Sequence, residues 1–89
     1  MLHALKTLPC YFEDILEGSK TFEVRKNDRP FATGDEIVLQ EWNPEQSGYT
    51  GNEWYGIISY VMDETEYCKK VYVILGIKPK EILPVKNNQ

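Results

Sequence analysis

The chain has 89 residues, of which 42% are hydrophobic and 27% charged, the make-up of one small globular domain rather than a disordered acidic tail or a collagen- or mucin-like chain. A formal net charge of −4 and a pI near 4.9 exclude a strongly basic domain that coats nucleic acid by counterion release. They leave open local recognition of a nucleotide or a short strand.

Leu2–Leu8 (LHALKTL) reads as a first strand. Pro9 suits the first turn of a helix, where its missing N–H does no harm. Tyr11, Phe12, Ile15 and Leu16 follow at helical spacing as one apolar stripe, and Gly18 supplies a C-cap. A helix this short needs packing to persist. Thr21–Lys26 (TFEVRK) alternates like a half-buried strand. The pattern predicts Phe22, Val24 and the stem of Lys26 on the core face, with Thr21, Glu23 and Arg25 opposite. Asn27–Pro30 and Thr33–Asp35 are turns. Glu36–Trp42 (EIVLQEW) is a strand, and Asn43–Asn52 (NPEQSGYTGN) is expected to be a polar loop carrying Tyr49. Glu53–Met62 and Val71–Lys78 are the last strands, joined through Asp63–Lys70. Pro79 and Pro84 punctuate a tail whose end, Lys86–Gln89, is expected to fray.

The order is β, α, then four strands, in a single domain over residues 1–89. The expected fold is mostly β (α+β, one or two short helices). A small, mostly antiparallel barrel of five to six strands best closes edges that would otherwise lie exposed. No apolar run approaches the ~20 residues that cross a bilayer and no secretory signal is evident, so the expected address is the cytoplasm. Cys10 and Cys68 are then expected to be reduced, and their spacing fits no zinc pattern. With one His and scattered glycines, neither a metal nor a cofactor is expected. Cys10, behind Pro9 at a helix start, reads either as a reactive thiol or as a small hydrophobe.

Charge is unevenly placed. Pro30–Cys68 holds eight acids and no Lys or Arg, while Lys20–Arg29 carries Lys20, Arg25, Lys26 and Arg29 against Glu23 and Asp28. The basic stretch follows the helix-ending Gly18. Lys20 lies at the mouth of the next strand, and Glu23 and Arg25, two apart, project from one face. Arg presents a paired fork of donors to a phosphate or base edge. Glu accepts from an exocyclic amine or holds the Arg in place. Lys binds a phosphate or, when desolvated, acts as a nucleophile. The plain alternative is an exposed ion pair worth roughly 0–1 kcal/mol.

Gly18-x-Lys20-x-x-Glu23-x-Arg25, after a short helix and heading a strand, resembles the signature of the ASCH family, named for activating signal cointegrator homology. His3-x-Leu5-Lys6, Phe22–Arg29, Gly34-Asp35, Glu41-Trp42, Tyr49-Thr50-Gly51 and Tyr72–Leu75 extend the resemblance, over nearly the whole chain, to a small bacterial and phage subfamily. The resemblance implies a PUA-like barrel whose cleft, lined by Lys20, Glu23 and Arg25, faces RNA or a nucleotide-like ligand. One branch of that superfamily hydrolyses N-acetylcytidine with a Lys, a Thr and a later Glu. Lys20 falls at that Lys, but Glu23 stands where the Thr would be. Asp63–Lys70 is shorter than that branch supplies, with Glu64 and Glu66 only loosely in its region.

Further candidates flank this set. Lys26 and Arg29 are placed to touch phosphates. His3 and Lys6 lie on the first strand, on opposite faces by alternation, as ligand contacts or, for His3, as a structural hydrogen-bonding residue. Trp42, Tyr49, Trp54 and Tyr55 stack on bases or serve as core plugs. Three readings follow. The first is a monomeric module binding RNA or a nucleotide through Lys20, Glu23, Arg25, Lys26, Arg29, His3 and Lys6. The second is an amidohydrolase of a modified nucleoside, with Lys20 as nucleophile or base and Glu23 as its acid/base partner. The third is a protein–protein adaptor using the acidic segment.

Overall fold

The computed structural model describes residues 1–80; Pro84 and the expected frayed end at Lys86–Gln89 lie outside the described residues. Six elements follow one another: β1 (Leu2–Thr7), α1 (Pro9–Glu17), β2 (Phe22–Lys26), β3 (Glu36–Asn43), β4 (Gly48–Met62) and β5 (Tyr72–Pro79). The fold is mostly β, with one short helix after the first strand, as expected. The five strands form one sheet in the order β1-β3-β4-β5-β2, curled into a half-barrel. β1 pairs with β3 in parallel and every other neighbour is antiparallel. The two edges of the sheet are therefore β1 and β2, which do not pair with each other.

Helix α1 starts at Pro9 and ends at Gly18, whose φ of 86° closes the last turn. The Ser19 and Lys20 N–H groups both donate to the Asp14 carbonyl, which fixes the approach of Lys20 to β2. Only half of the predicted stripe is buried: Phe12 and Ile15 enter the core, while Tyr11 and Leu16 stay exposed. The core otherwise comes from the inward faces of the strands, with Leu5, Ile37, Leu39, Ile58, Val73, Leu75 and Ile77 in one cluster.

Two expectations are corrected. First, β2 presents the opposite face to the core. Glu23 pairs with Leu75 and Arg25 with Val73, both wholly buried, and directly paired residues share a face. Glu23 is therefore only 4% exposed, while Phe22 and Val24 are 44% and 51% exposed. Alternation shows that two faces exist, and pairing with β5 decides which one is inside. Second, the polar stretch Asn43–Asn52 is not a loop. The turn is only Pro44–Ser47, and β4 begins at Gly48. Trp42 pairs with Tyr49 across the hairpin, their rings edge to face at 5.0 Å. The Thr50 hydroxyl and the Asn52 amide both donate to Glu41 Oε1, at 2.7 and 3.0 Å. Such cross-strand contacts hold as a strand a sequence that composition marks as a loop. A smaller difference lies at Val71, which takes a φ of 63° just before β5 and accepts the Asn27 N–H.

Candidate functional site: the seam between the edge strands

The curl brings the two sheet edges face to face, and Arg25 spans the seam between them. From β2, its Nη2 donates to the Lys6 carbonyl of β1 at 2.7 Å and to Thr7 Oγ1 at 3.2 Å. The gap between the two edges of the half-barrel is thus bridged here by a side chain rather than by a backbone ladder. Glu23 holds the guanidinium in place, its Oε1 accepting from Nη2 at 2.8 Å and from Nε at 3.1 Å. Its other oxygen accepts from Lys20 Nζ at 2.7 Å. Lys20 also donates to the Phe22 carbonyl at 2.7 Å, with its ammonium 4.8 Å from the Phe22 ring and 5.4 Å from that of Tyr11.

This triad explains how a carboxylate can lie on the core face. Burying an unpaired charge is prohibitive, and Glu23 escapes that cost because both oxygens accept charge-assisted hydrogen bonds. Two cations against one carboxylate leave a positive surplus at the seam. Among the described residues, Arg25 Nη1 has no hydrogen-bond partner.

A cavity of about 500 Å³ opens on the triad. Leu8, Tyr11, Phe22 and Val24 wall it, and Lys20, Glu23, Arg25, Lys6 and Thr7 also line it. A second cavity, about 230 Å³, adjoins it, lined by Leu5, Arg25, Lys26, Asp28, Arg29 and Phe31. Arg25 lines both. The structure thus gathers Lys20, Glu23, Arg25 and Lys6 at one opening and Lys26 and Arg29 at its neighbour. The side chain of Lys6 also reaches the hairpin, where its ammonium lies 3.9 Å from the centre of the Trp42 ring.

His3 is not among the residues lining either cavity. It is buried near the other end of β1, with Nε2 at 2.8 Å from Asp35 Oδ2 and its ring 4.8 Å from that of Phe31. The His3 hydrogen bond, helped by the Met1 ammonium and then by the Ala32 N–H, holds the Asp35 carboxyl below its ordinary pKa against the opposing pull of burial. Of the other aromatics, Trp54 packs on the core, and the Tyr55 hydroxyl donates to Glu53 Oε1 at 2.6 Å. Neither they nor Trp42 and Tyr49 line the cavities. Cys10 is exposed and Cys68 buried, both as free thiols.

Sequence reasoning missed the cavity walls. Tyr11 and Phe22 read as core because they are large and apolar, yet they rim the opening. One signal was available: a Glu with a Lys three residues before it and an Arg two after is suited to burial, because a compensating charge stands on either side.

A curled five-stranded sheet with one helix and a charged seam between its free edges defines, over the described residues, a small half-barrel domain with cavities at that seam. The chain belongs to the family described as Domain of unknown function (DUF3850), which matches residues 2–77. An uncharacterized 12.9 kDa protein in the GpA 3′ region of Escherichia phage P2 is 37% identical over 84 residues, covering 94% of this chain and 74% of the phage protein. Among the described residues, no helix is long and apolar enough to cross a membrane.

Proposed function

We propose that this chain is an RNA- or nucleotide-binding module of the ASCH type, working in the cytoplasm, with the seam cavity as its ligand cleft. The observation that carries the reading is the convergence of Lys20, Glu23 and Arg25 on one cavity of about 500 Å³. That lies within the roughly 300–1,000 Å³ of small-molecule sites. The walls add to it: Tyr11 and Phe22 offer ring faces to a base, and the cations favour an anionic ligand. Binding is preferred to hydrolysis because Glu23, the acid/base partner that hydrolysis would need, has one oxygen held by Lys20 and the other by Arg25. It is preferred to a protein adaptor because Glu41 and Glu53 of the acidic segment already accept hydrogen bonds within their own hairpin.

Arg25→Ala is a poor test, since Arg25 also spans the seam. Tyr11→Ala spares the triad. An amide NMR titration at low salt with short single-stranded RNA, and then with acetylated cytidine, is expected to shift Leu8–Tyr11 and Lys20–Arg25. Tyr11→Ala should then weaken binding by about 1–3 kcal/mol, the worth of one stacked base. Silence from both ligands, or shifts confined to the β3–β4 hairpin, would refute the assignment. Release of acetate would move it to the hydrolase.

A further inference from the structure

The two cavities differ in how their charges are used. In the larger one, the walls are Leu8, Tyr11, Phe22 and Val24, and Lys20 and Arg25 are both turned onto Glu23. In the smaller one, the cations are spare. Lys26 makes no side-chain hydrogen bond or ion pair among the described residues. The closest carboxylate to Arg29 is Asp28 at 3.7 Å, beyond hydrogen-bond length. Even with Arg25 assigned to Glu23, Lys26 and Arg29 outnumber Asp28 in lining it. Phe31 backs this cavity, its ring 5.8 Å from the Arg29 guanidinium carbon, which limits the directions that group can take. Arg25 is the common wall.

The geometry points to a divided site in which the larger cavity takes a flat ring and the smaller one takes a phosphate. The ligand class is then a nucleoside phosphate, free or as one unit of an RNA strand, and not an uncharged nucleoside. This rests on the nucleotide-binding reading above and narrows it. The spare donors of Lys26 and Arg29 match phosphate oxygens, the guanidinium by a paired fork and the ammonium as a point charge. The larger cavity has the apolar walls a base requires, and its cations are engaged elsewhere, Lys20 and Arg25 on Glu23 and the Lys6 ammonium over the Trp42 ring at 3.9 Å.

The test compares each of the four ribonucleosides with its 5′- and 3′-monophosphates and with a short RNA, by calorimetric titration at low salt. At least one monophosphate is expected to bind about tenfold or more tightly than its own nucleoside, as one charge-assisted contact supplies. In a Lys26→Ala/Arg29→Ala double variant that ratio should fall to within about twofold of one. RNA binding without binding of any monophosphate would keep the phosphate site but assign it to a strand, provided the double variant also loses the RNA. A nucleoside that binds as tightly as its monophosphates would overturn the divided site and leave the nucleotide-binding reading standing. A phosphate advantage that survives in the double variant would place the phosphate elsewhere and overturn it too. No binding of nucleoside, nucleotide or RNA would overturn both.

Discussion

The inward face of β1 carries His3 near one end and Thr7 at the other, both 3% exposed, and the two ends are secured differently. At the first, one imidazole and the Met1 ammonium meet one carboxylate, the Phe31 ring backs the imidazole, and neither His3 nor Asp35 lines a cavity. At the second, Arg25 reaches across from β2, anchored by Glu23 and Lys20, and cavities open on both sides of it. Burial of a polar side chain therefore does not mark a binding site. What separates the ends is whether the polar group joins neighbours in a continuous ladder or spans a gap between two free edges. A gap leaves room for a ligand, and a spanning Arg has more donors than its partners use.

The comparison is broken hardest at Glu23. Glu23→Ala removes the anion between Lys20 and Arg25 and leaves two half-buried cations facing each other. The expected loss of stability is about 3 kcal/mol, the lower end for removing one member of a buried charged group, since both cations are partly solvated. Urea unfolding reads it directly. A loss below about 1 kcal/mol would mean that the triad does not hold the seam together.

The other end is probed by acid. The pKa of Asp35 is lower in the folded protein than its ordinary value of 3.8. Unfolding then takes up a proton as pH falls past 3.8, so the stabilisation is complete above that pH and is lost as pH drops through the lower folded value. The urea midpoint of the wild type should fall over this range more steeply than that of Asp35→Asn. Glu36 and Glu53 are also held low, by Lys80 and by the Tyr55 hydroxyl respectively, but they contribute to both proteins alike. Equal slopes would remove Asp35 as the origin.

The sequence conveyed the two ends unequally. Element order, the helix caps and most strand limits were legible because Pro9, Gly18 and the apolar alternation are local signals. The grouping of Lys20, Glu23 and Arg25 was legible as well, through a two-residue spacing and a resemblance. Their facing was not. In Thr21–Lys26 both faces carry apolar atoms, and only pairing with β5 turns Glu23 inward. Hairpin residues Gly48–Asn52 read as loop for a related reason: their strand is held by Trp42 and Glu41 on the partner strand, which composition along one segment does not register. His3 reads from the sequence as a ligand contact or as a structural hydrogen-bonding residue, and local pattern does not choose between them because its partner, Asp35, comes from a turn 32 residues away.

The smallest expected effect sharpens the comparison most, because it separates charge that holds the fold from charge left over. Arg29 and Asp28 are both exposed and stand 3.7 Å apart, an arrangement in which solvent screens most of the attraction. Lys26 has no ion-pair partner among the described residues. Lys26→Ala and Arg29→Ala should therefore each change stability by no more than about 0.5 kcal/mol, as surface substitutions do. Measured by urea unfolding beside Glu23→Ala, they place the fold's dependence on charge at the triad. A loss above about 1 kcal/mol in Arg29→Ala would show that its packing on Phe31 fastens the Asn27–Pro30 turn. Its guanidinium would then be committed to the fold, and the smaller cavity would lose its strongest claim to a phosphate.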